Sequence, residues 1–428
     1  MAYWQVDVET MSRAELEKQQ VEGLKETIRL AENSAFYQKV FKENRITADS
    51  VQSLEDLEKI PFTTKEDLRK NYPFGMAAIP LRQCVRLHSS SGTTGNPTVV
   101  LHSAKDIDEW ANQVARCMYM VGLRDTDIFQ NTSGYGMFTG GLGFQYGAEK
   151  LGALTVPAAA GNTKRQLKFI TDFGTTCLHI IPSYATRLAE VMQESSIDPK
   201  RDTKLHTICI GAEPHSEAQR KRIEELLGVK AYNCFGMSEM NGPGVAFECT
   251  EQNGMHIWED YVIVEIIDPV TLKPVPDGEV GELVLTTLKR EAMPLLRYRT
   301  RDLTRIIPGD CPCGRTHKRI DRFKGRSDDM IILKGVNLFP IQIETILMKF
   351  HELGNNYLIT IDNDEMLIEI ELSDLFTDDY SKLQKLTQEV TRQLKDELLL
   401  TPKLKLVSRG SLPVQEGKAV RVRDLRKF

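Results

Sequence analysis

His88-Ser89-Ser90-Ser91-Gly92-Thr93-Thr94-Gly95-Asn96-Pro97 concentrates hydroxyls and glycines immediately before a proline. Glycines let successive backbone N–H groups turn toward one oxyanion without a Cβ in the way, and Ser and Thr hydroxyls add donors for phosphoryl oxygens. The stretch reads as a phosphate loop. It is not a Walker A loop, which needs Gly-Lys-Ser/Thr; here Asn96 and Pro97 follow Gly95. A Ser/Thr/Gly run is also the composition of an ordinary surface loop, so its context decides the reading.

The chain has 428 residues, enough for a large core and at least two domains. A hydrophobic fraction of 41%, a charged fraction of 27% and a mean hydropathy of -0.32 describe a soluble globular protein. A net charge of -5 carries no polyanion signature, so nucleic acid is not an expected partner and a small-molecule protein is. Residues 1–7 show neither a basic leader nor an apolar run of signal length, and no stretch elsewhere approaches a membrane span. A cytoplasmic protein without a membrane partner is expected. Eight scattered cysteines suit reduced thiols rather than a disulfide framework, and Cys177 and Cys209, in apolar strand-like runs, suit burial.

Apolar positions at helical spacing between residues 12 and 43 predict one or two surface packing helices. From about 98 to 300, short β-rich runs (Val99 to Leu101, Ala153 to Val156, Thr207 to Ile210, Val229 to Asn233) alternate with helical patterns such as Ser216 to Leu227. That rhythm belongs to parallel sheets with crossover helices, whose ligands bind at the carboxyl ends of the strands. Val262 to Ile267 and Gly281 to Leu285 flank a Pro276-Asp277-Gly278 turn and predict an antiparallel hairpin. After Gly325 a second unit of βαββα order begins: a strand at Met330 to Leu333, a helix at Ile341 to Phe350, strands near Leu358 to Ile361 and Leu367 to Leu372, and a helix at Asp378 to Leu399. The expected architecture is α/β: a large N-terminal domain of mixed sheets and crossover helices over 1–325, and a small C-terminal α+β lid over 326–428.

Downstream of the hydroxyl loop come Gly211-Ala212-Glu213-Pro214, Tyr232-Asn233-Cys234-Phe235-Gly236-Met237-Ser238-Glu239, Tyr298-Arg299-Thr300-Arg301-Asp302, Gly325-Arg326-Ser327-Asp328-Asp329 and Pro413-Val414-Gln415-Glu416-Gly417-Lys418. The ordered series resembles the adenylate-forming superfamily of acyl-CoA synthetases, luciferases and peptide-synthetase adenylation domains. The run from Ser327 to Pro340 is most similar in wording to the phenylacetate–CoA ligase family, and the resemblance covers nearly the whole chain. It implies an acid–thiol ligase: a carboxylate attacks the α-phosphate of ATP and expels pyrophosphate, then CoA displaces AMP.

The resemblance assigns roles that make chemical sense, because joining two anions relies on positioning and positive charge. Ser89, Ser90, Ser91, Gly92, Thr93, Thr94 and Gly95 would hold the β- and γ-phosphates. Glu239 would ligand Mg²⁺, a hard cation that takes carboxylate oxygen. Asp302 would accept both ribose hydroxyls, with a structural Asp capped by Arg301 as the plainer alternative. Tyr232 would face adenine, Gly211, Ala212 and Glu213 would border the base, and Asn233, Phe235, Gly236, Met237 and Ser238 would complete the nucleotide wall. Arg326 would donate near ribose and phosphate, and Lys418 would contact the α-phosphate and carboxylate. The family also implies rotation of the lid about Asp328 between the two half-reactions, and a homodimer. Tyr135, Gly136 and Phe138, with Phe235, Gly236 and Pro243, are the expected acyl lining for an aryl acetate; core packing of Tyr135 and Phe138 is the alternative. Indoleacetate, benzoate-type and short aliphatic acids stay open.

Cys311-Pro312-Cys313-Gly314 is a compact thiol pair, and Cys249 and His256 stand upstream with six residues between them. Four such ligands would make a closed structural zinc site, with His317 competing with His256 for the fourth position and plain reduced thiols as the alternative. Two rivals share the motifs: an adenylation enzyme loading a carrier protein, and a non-catalytic nucleotide-binding regulator. No carrier domain follows Phe428 and Glu239, Asp302 and Lys418 are all present, so the expectation is an active enzyme using free CoA.

Overall fold

A computed structural model of the chain describes residues 2–89, 96–137, 139–328, 330–334, 336–363, 365–373, 380–413 and 420–426. Ser90, Ser91, Gly92, Thr93, Thr94 and Gly95 of the hydroxyl loop, Phe138 and Lys418 lie outside the described residues.

Ser12 accepts a hydrogen bond from the Glu15 N–H and starts the helix Arg13–Ala31; Ser34 caps Ala35–Asn44 in the same way. Leu16, Leu24 and Ile28 recur at helical spacing and are fully buried, so this helix is part of the core and not only a surface element. It packs on the antiparallel sheet Val262–Ile267, Gly281–Thr287, Tyr298–Thr304 and Gly325–Arg326, with Leu288 against Gly23.

The principal sheet has nine strands. Five are parallel, in spatial order Lys230–Met237, Thr207–Gly211, Cys177–Ile180, Ile128–Asn131, Leu154–Val156. Cys177–Ile180 and Thr207–Gly211 are buried along their whole length, as strands covered on both faces must be. Crossover helices include Thr163–Phe173 and Glu217–Leu227, which end on the left-handed caps Gly174 and Gly228. From Ile128–Asn131 the chain runs outward to Leu154–Val156, then returns past it to Cys177–Ile180. The strand order therefore reverses between Ile128–Asn131 and Cys177–Ile180, the kind of switch point where a crevice opens beyond the carboxyl ends.

Val99–Ser103 departs from expectation: it pairs antiparallel with Cys84–Ser89 in a separate two-stranded sheet rather than joining the parallel strands. The predicted hairpin forms in register, Val262 opposite Thr287 and Ile267 opposite Glu282. Residues beyond 330 make their own core around Ile343, Leu347, Ile359, Ile368 and Leu394. Its sheet, Lys403–Val407, Glu365–Leu372, Leu353–Asp362 and Val422–Asp424, carries the helices Pro340–Leu347 and Tyr380–Leu398. The two outer strands extend the predicted βαββα order. Gly325–Arg326 pairs with Tyr298–Thr304 and the Ser327 N–H donates to Arg301 O (2.8 Å), so the chain leaves the large unit just past the expected border. Among the described residues no helix is long and apolar enough to cross a membrane.

A candidate active-site cleft

A cleft of about 2610 Å³ runs from the carboxyl ends of the parallel strands to the C-terminal unit. Its roof is held in place by groups from both sides. Glu344 of the C-terminal unit accepts from the Ser216 N–H (2.9 Å) and the Tyr357 hydroxyl (2.9 Å), and Arg222 donates to Leu353 O (2.8 Å).

At one end the walls are Ala212, Glu213, Pro214, Asn233 and Phe235 to Glu239, with Asp302, Gly325, Arg326 and Asp328. Glu213 accepts from the Ser183 N–H (3.1 Å) and hydroxyl (2.9 Å), which anchors the turn after Thr207–Gly211. The Phe235 ring lies 4.5 Å from that of Phe323. Glu239 is buried, its carboxylate beside the Tyr298 hydroxyl, and its backbone carbonyl accepts from the fully buried Arg290. Burial pushes the Arg290 guanidinium down to about 10. Arg326 donates to Asp302 Oδ1 (3.3 Å) and grips Asp328 with two bonds of 2.9 and 3.0 Å. Burial raises the Asp302 carboxyl to about 6, an effect the Arg326 charge partly opposes. Arg301 does not cap Asp302; its ion pair is with Glu282 (3.6 Å).

Two of the residues expected around the nucleotide stand off the cleft. Tyr232 is buried in the hydrophobic core and does not line the cleft. Its neighbour Asn233 does line it, and the half-buried Phe235 offers an aromatic face. Gly211 also lies behind the wall: a Cβ there would stand 2.3 Å from Cys234 O, so this glycine serves close strand packing. Gly236 lines the cleft, yet its missing side chain faces Gly242 O at 2.1 Å from an ideal Cβ, which is strand contact rather than a ligand cradle.

The other end of the cleft is walled by Thr132, Ser133, Gly134, Met137, Thr139, Gly140, Phe144, His179 and Pro243. Tyr135 and Gly136, expected here, are not among its walls; the half-buried Tyr135 instead accepts from Asn131 Nδ2 (3.3 Å). Phe144 stacks on His179 with ring centres 3.8 Å apart. Neither residue stands in a recognisable motif. The signal available was a histidine inside the apolar run Cys177-Leu178-His179-Ile180, just before the helix-starting Pro182.

Away from the cleft, Cys249, His256, Cys311 and Cys313 converge with their ligand atoms within 4.8 Å of one another, all buried. Cys249 Sγ lies 3.7 Å from Cys311 Sγ, and Cys313 Sγ 3.2 Å from His256 Nε2. A tetrahedron with zinc–sulfur bonds of about 2.3 Å has edges of about 3.7 Å, so the four donors suit that ion. His317 is engaged elsewhere: Nδ1 accepts from the Glu259 N–H (3.0 Å) and Nε2 donates to Val8 O (3.0 Å). His256 Nδ1 lies 3.1 Å from His317 O, which orients its ring toward the thiols.

Strand ends at a switch point, a carboxylate beside a paired arginine and a second unit over both make the frame of a ligand-binding α/β enzyme. Residues 15–288 match the model of the AMP-binding enzyme family and residues 335–426 that of the AMP-binding enzyme C-terminal domain. The chain is 42% identical to a phenylacetate-coenzyme A ligase of Thermus thermophilus over 99% of its length and all of that protein's. It is 43% identical to one from Escherichia coli, over 98% of this chain and 97% of the other. The chain belongs to the AMP-binding enzyme family and, within it, to the phenylacetate-coenzyme A ligases. A crystal structure of 2-hydroxyisobutyryl-CoA ligase in the postadenylation state, 30% identical, superimposes with a TM-score of 0.94 over 99% of this chain and 92% of that one. The same ligase in its thioesterification state, 31% identical over 99% and 92%, gives 0.74.

Proposed function

We propose that this enzyme joins phenylacetate or a close aryl acetate to coenzyme A, with ATP as the activating substrate. The observation that carries the reading is 42% and 43% identity to phenylacetate-coenzyme A ligases along nearly the whole chain, in a protein whose cleft joins an acidic, arginine-bearing end to an aromatic chamber. A carboxylate oxygen of the acid attacks the α-phosphorus of ATP; the bond to the β-phosphate oxygen breaks, and acyl-adenylate and pyrophosphate result. The CoA thiolate then attacks the acyl carbon and AMP leaves with the bonding pair.

In this reading Asp302 accepts the ribose hydroxyls and Arg326 supports it while reaching toward phosphate. Phe235 takes the adenine contact expected of Tyr232, Ala212 and Glu213 border the base, and Glu239 would hold Mg²⁺, which would offset the charge of the phosphates. Lys418 and the hydroxyl loop complete the adenylation arrangement. The unit over 326–428 acts as a lid on 1–325 and turns about Asp328 between the half-reactions. The fall in TM-score from 0.94 to 0.74 between two states of one related ligase supports that motion. The Cys249–His256–Cys311–Cys313 knot would hold a structural zinc ion, with no open ligand position for catalysis. The enzyme would work in the cytoplasm, where ATP and free CoA are at hand, without nucleic-acid or membrane partners; the implied homodimer is testable by sizing.

Acid-dependent ATP–pyrophosphate exchange isolates the first half-reaction. Exchange driven by phenylacetate and lost in Lys418→Ala is the expected result. No exchange with any aryl or aliphatic acid, from folded and Mg²⁺-supplied protein, would overturn the reading and favour a nucleotide-binding regulator.

A further inference from the structure

The acyl chamber ends in a hydrogen-bonding group that an unsubstituted phenyl ring does not use. Asn131, at the end of Ile128–Asn131, is oriented by two backbone groups that allow one reading of its amide. Its Nδ2 donates to Gly141 O (2.6 Å), which accepts only, and its Oδ1 accepts from the Ser133 N–H (3.1 Å), which donates only. His179 Nδ1 lies 3.3 Å from that same Oδ1 and 2.9 Å from Ser133 Oγ. An unprotonated Nδ1 would set its lone pair against Asn131 Oδ1, whereas Ser133 Oγ can either donate or accept, so the two contacts together favour the Nδ1–H tautomer, with the lone pair on Nε2.

Burial holds the imidazole neutral, lowering it to about 3. His179 is almost wholly buried, lines the cavity, and its Nε2 has no hydrogen-bond partner among the described residues. Phe144, stacked on the ring, fixes its plane. Nε2 opens on the cavity, where a donor on a bound ligand can take the place of water. The position is also the topological switch point, where the strand order reverses between the two elements that carry Asn131 and His179.

We propose that His179 is a specificity-determining residue that accepts a hydrogen bond from a donor on the acid's ring, so that donor-bearing aryl acetates, phenolic or indolic, are preferred over phenylacetate itself. The inference rests on the aryl-acetate ligase reading and narrows its substrate class. A ring hydroxyl or indole N–H supplies the missing proton, whereas a fluorine of similar size does not. Sites built to hydrogen-bond a substrate group reject the analogue lacking it more strongly than apolar pockets reject a lost methylene. For one acceptor the expected preference is about tenfold.

The test measures acid-dependent ATP–pyrophosphate exchange with phenylacetate, indole-3-acetate, and 2-, 3- and 4-hydroxyphenylacetates beside their fluoro counterparts. The expected result is a kcat/KM for at least one donor-bearing acid about tenfold above both phenylacetate and its donor-free analogue. In His179→Phe the ratio of the two should fall to about one, whatever the absolute rate. The wild-type comparison stands alone if that variant does not fold. Equal kcat/KM for the matched pairs, with phenylacetate active, overturns this inference and leaves the ligase reading intact. Preference retained in folded His179→Phe also overturns it. Exchange with none of the acids overturns both readings together.

Discussion

The thiol knot and the cleft are two polar assemblies in one fold, built on opposite terms. The knot draws its four side chains from residues 249–313, buries them and ties them to fixed neighbours: His256 to the carbonyl of His317, itself strapped to Val8, and the Cys313 carbonyl to the Tyr3 hydroxyl (3.2 Å). The cleft takes its groups from both sides of a chain crossing, and its charges are shared rather than closed. Arg326 divides itself between Asp302 and Asp328, and Glu344 bridges Ser216 and Tyr357. A site that must change between two half-reactions needs partners that can be exchanged, whereas a site that fastens loops needs none. The contrast predicts that cleft substitutions act on rate and knot substitutions on stability.

The largest effect tests whether the cleft is incomplete without the C-terminal lysine. Lys418→Ala should lower adenylation on the order of 10³-fold, as loss of a charge aimed at a developing transition state does, with the thermal midpoint unchanged. Single-turnover pyrophosphate release reads it, and near-normal release would remove Lys418 from the first half-reaction.

Asp302 separates rate from stability within the cleft itself. Its folded pKa, about 6, lies above the unfolded value near 3.8 because burial disfavours the carboxylate. The ionised group therefore costs the apo fold stability above pH 6, by at most about 3 kcal/mol, and that cost is absent below the unfolded pKa. Asp302→Asn should raise the melting temperature at pH 7.5 by roughly 2–5 °C while reducing kcat/KM for ATP on the order of 100-fold. In the wild type, ATP affinity should weaken as pH falls through 6 and the carboxylate is protonated. A variant that loses both activity and stability would break the comparison.

The knot should behave in the opposite way. Cys311→Ser, or treatment with a strong chelator, should lower the melting temperature by about 5–10 °C, while protein still folded at 20 °C keeps its exchange activity. Metal analysis of the purified enzyme should find about one zinc per chain, falling in the variant. Activity lost before any change in melting would make the knot part of catalysis.

How much of this was legible depended on whether the chemistry imposes residues along the chain or across it. The hydroxyl loop, Tyr232–Glu239 and Tyr298–Asp302 are contiguous runs, so their order could be read directly; of the two runs that are described throughout, all but Tyr232 line the cleft. The thiol knot was visible as Cys311-Pro312-Cys313 but its fourth ligand was not, because His256 and His317 are equivalent until the Glu259 N–H and Val8 O claim the latter. The far end of the cleft was mostly hidden. Ser133, Phe144 and His179 meet only because the strand order reverses between their elements, and no spacing records that reversal. The outer strand Lys403–Val407 had a signal in its Lys-Leu-Lys-Leu alternation, which a period of two would have exposed.

The smallest effect sharpens the boundary of the cleft. Resemblance places adenine against Tyr232, but strand geometry buries that ring in the core and turns Phe235 toward the cavity, beside Phe323. The Tyr232 hydroxyl makes no hydrogen bond among the described residues, and burial pushes it up to about 12. Tyr232→Phe, which removes only that hydroxyl, should leave KM for ATP within about twofold and stability nearly untouched. Phe235→Ala removes an aromatic face from the ligand side and should raise KM for ATP by about tenfold, an effect of the size of one lost stacking contact. Read in one exchange assay, Phe235→Ala tests contact of the base with the Phe235 ring and Tyr232→Phe tests contact with the Tyr232 hydroxyl. A strong KM effect from Tyr232→Phe with none from Phe235→Ala would mean that the strand turns over when nucleotide binds, and that the wall of the cleft is itself a moving part.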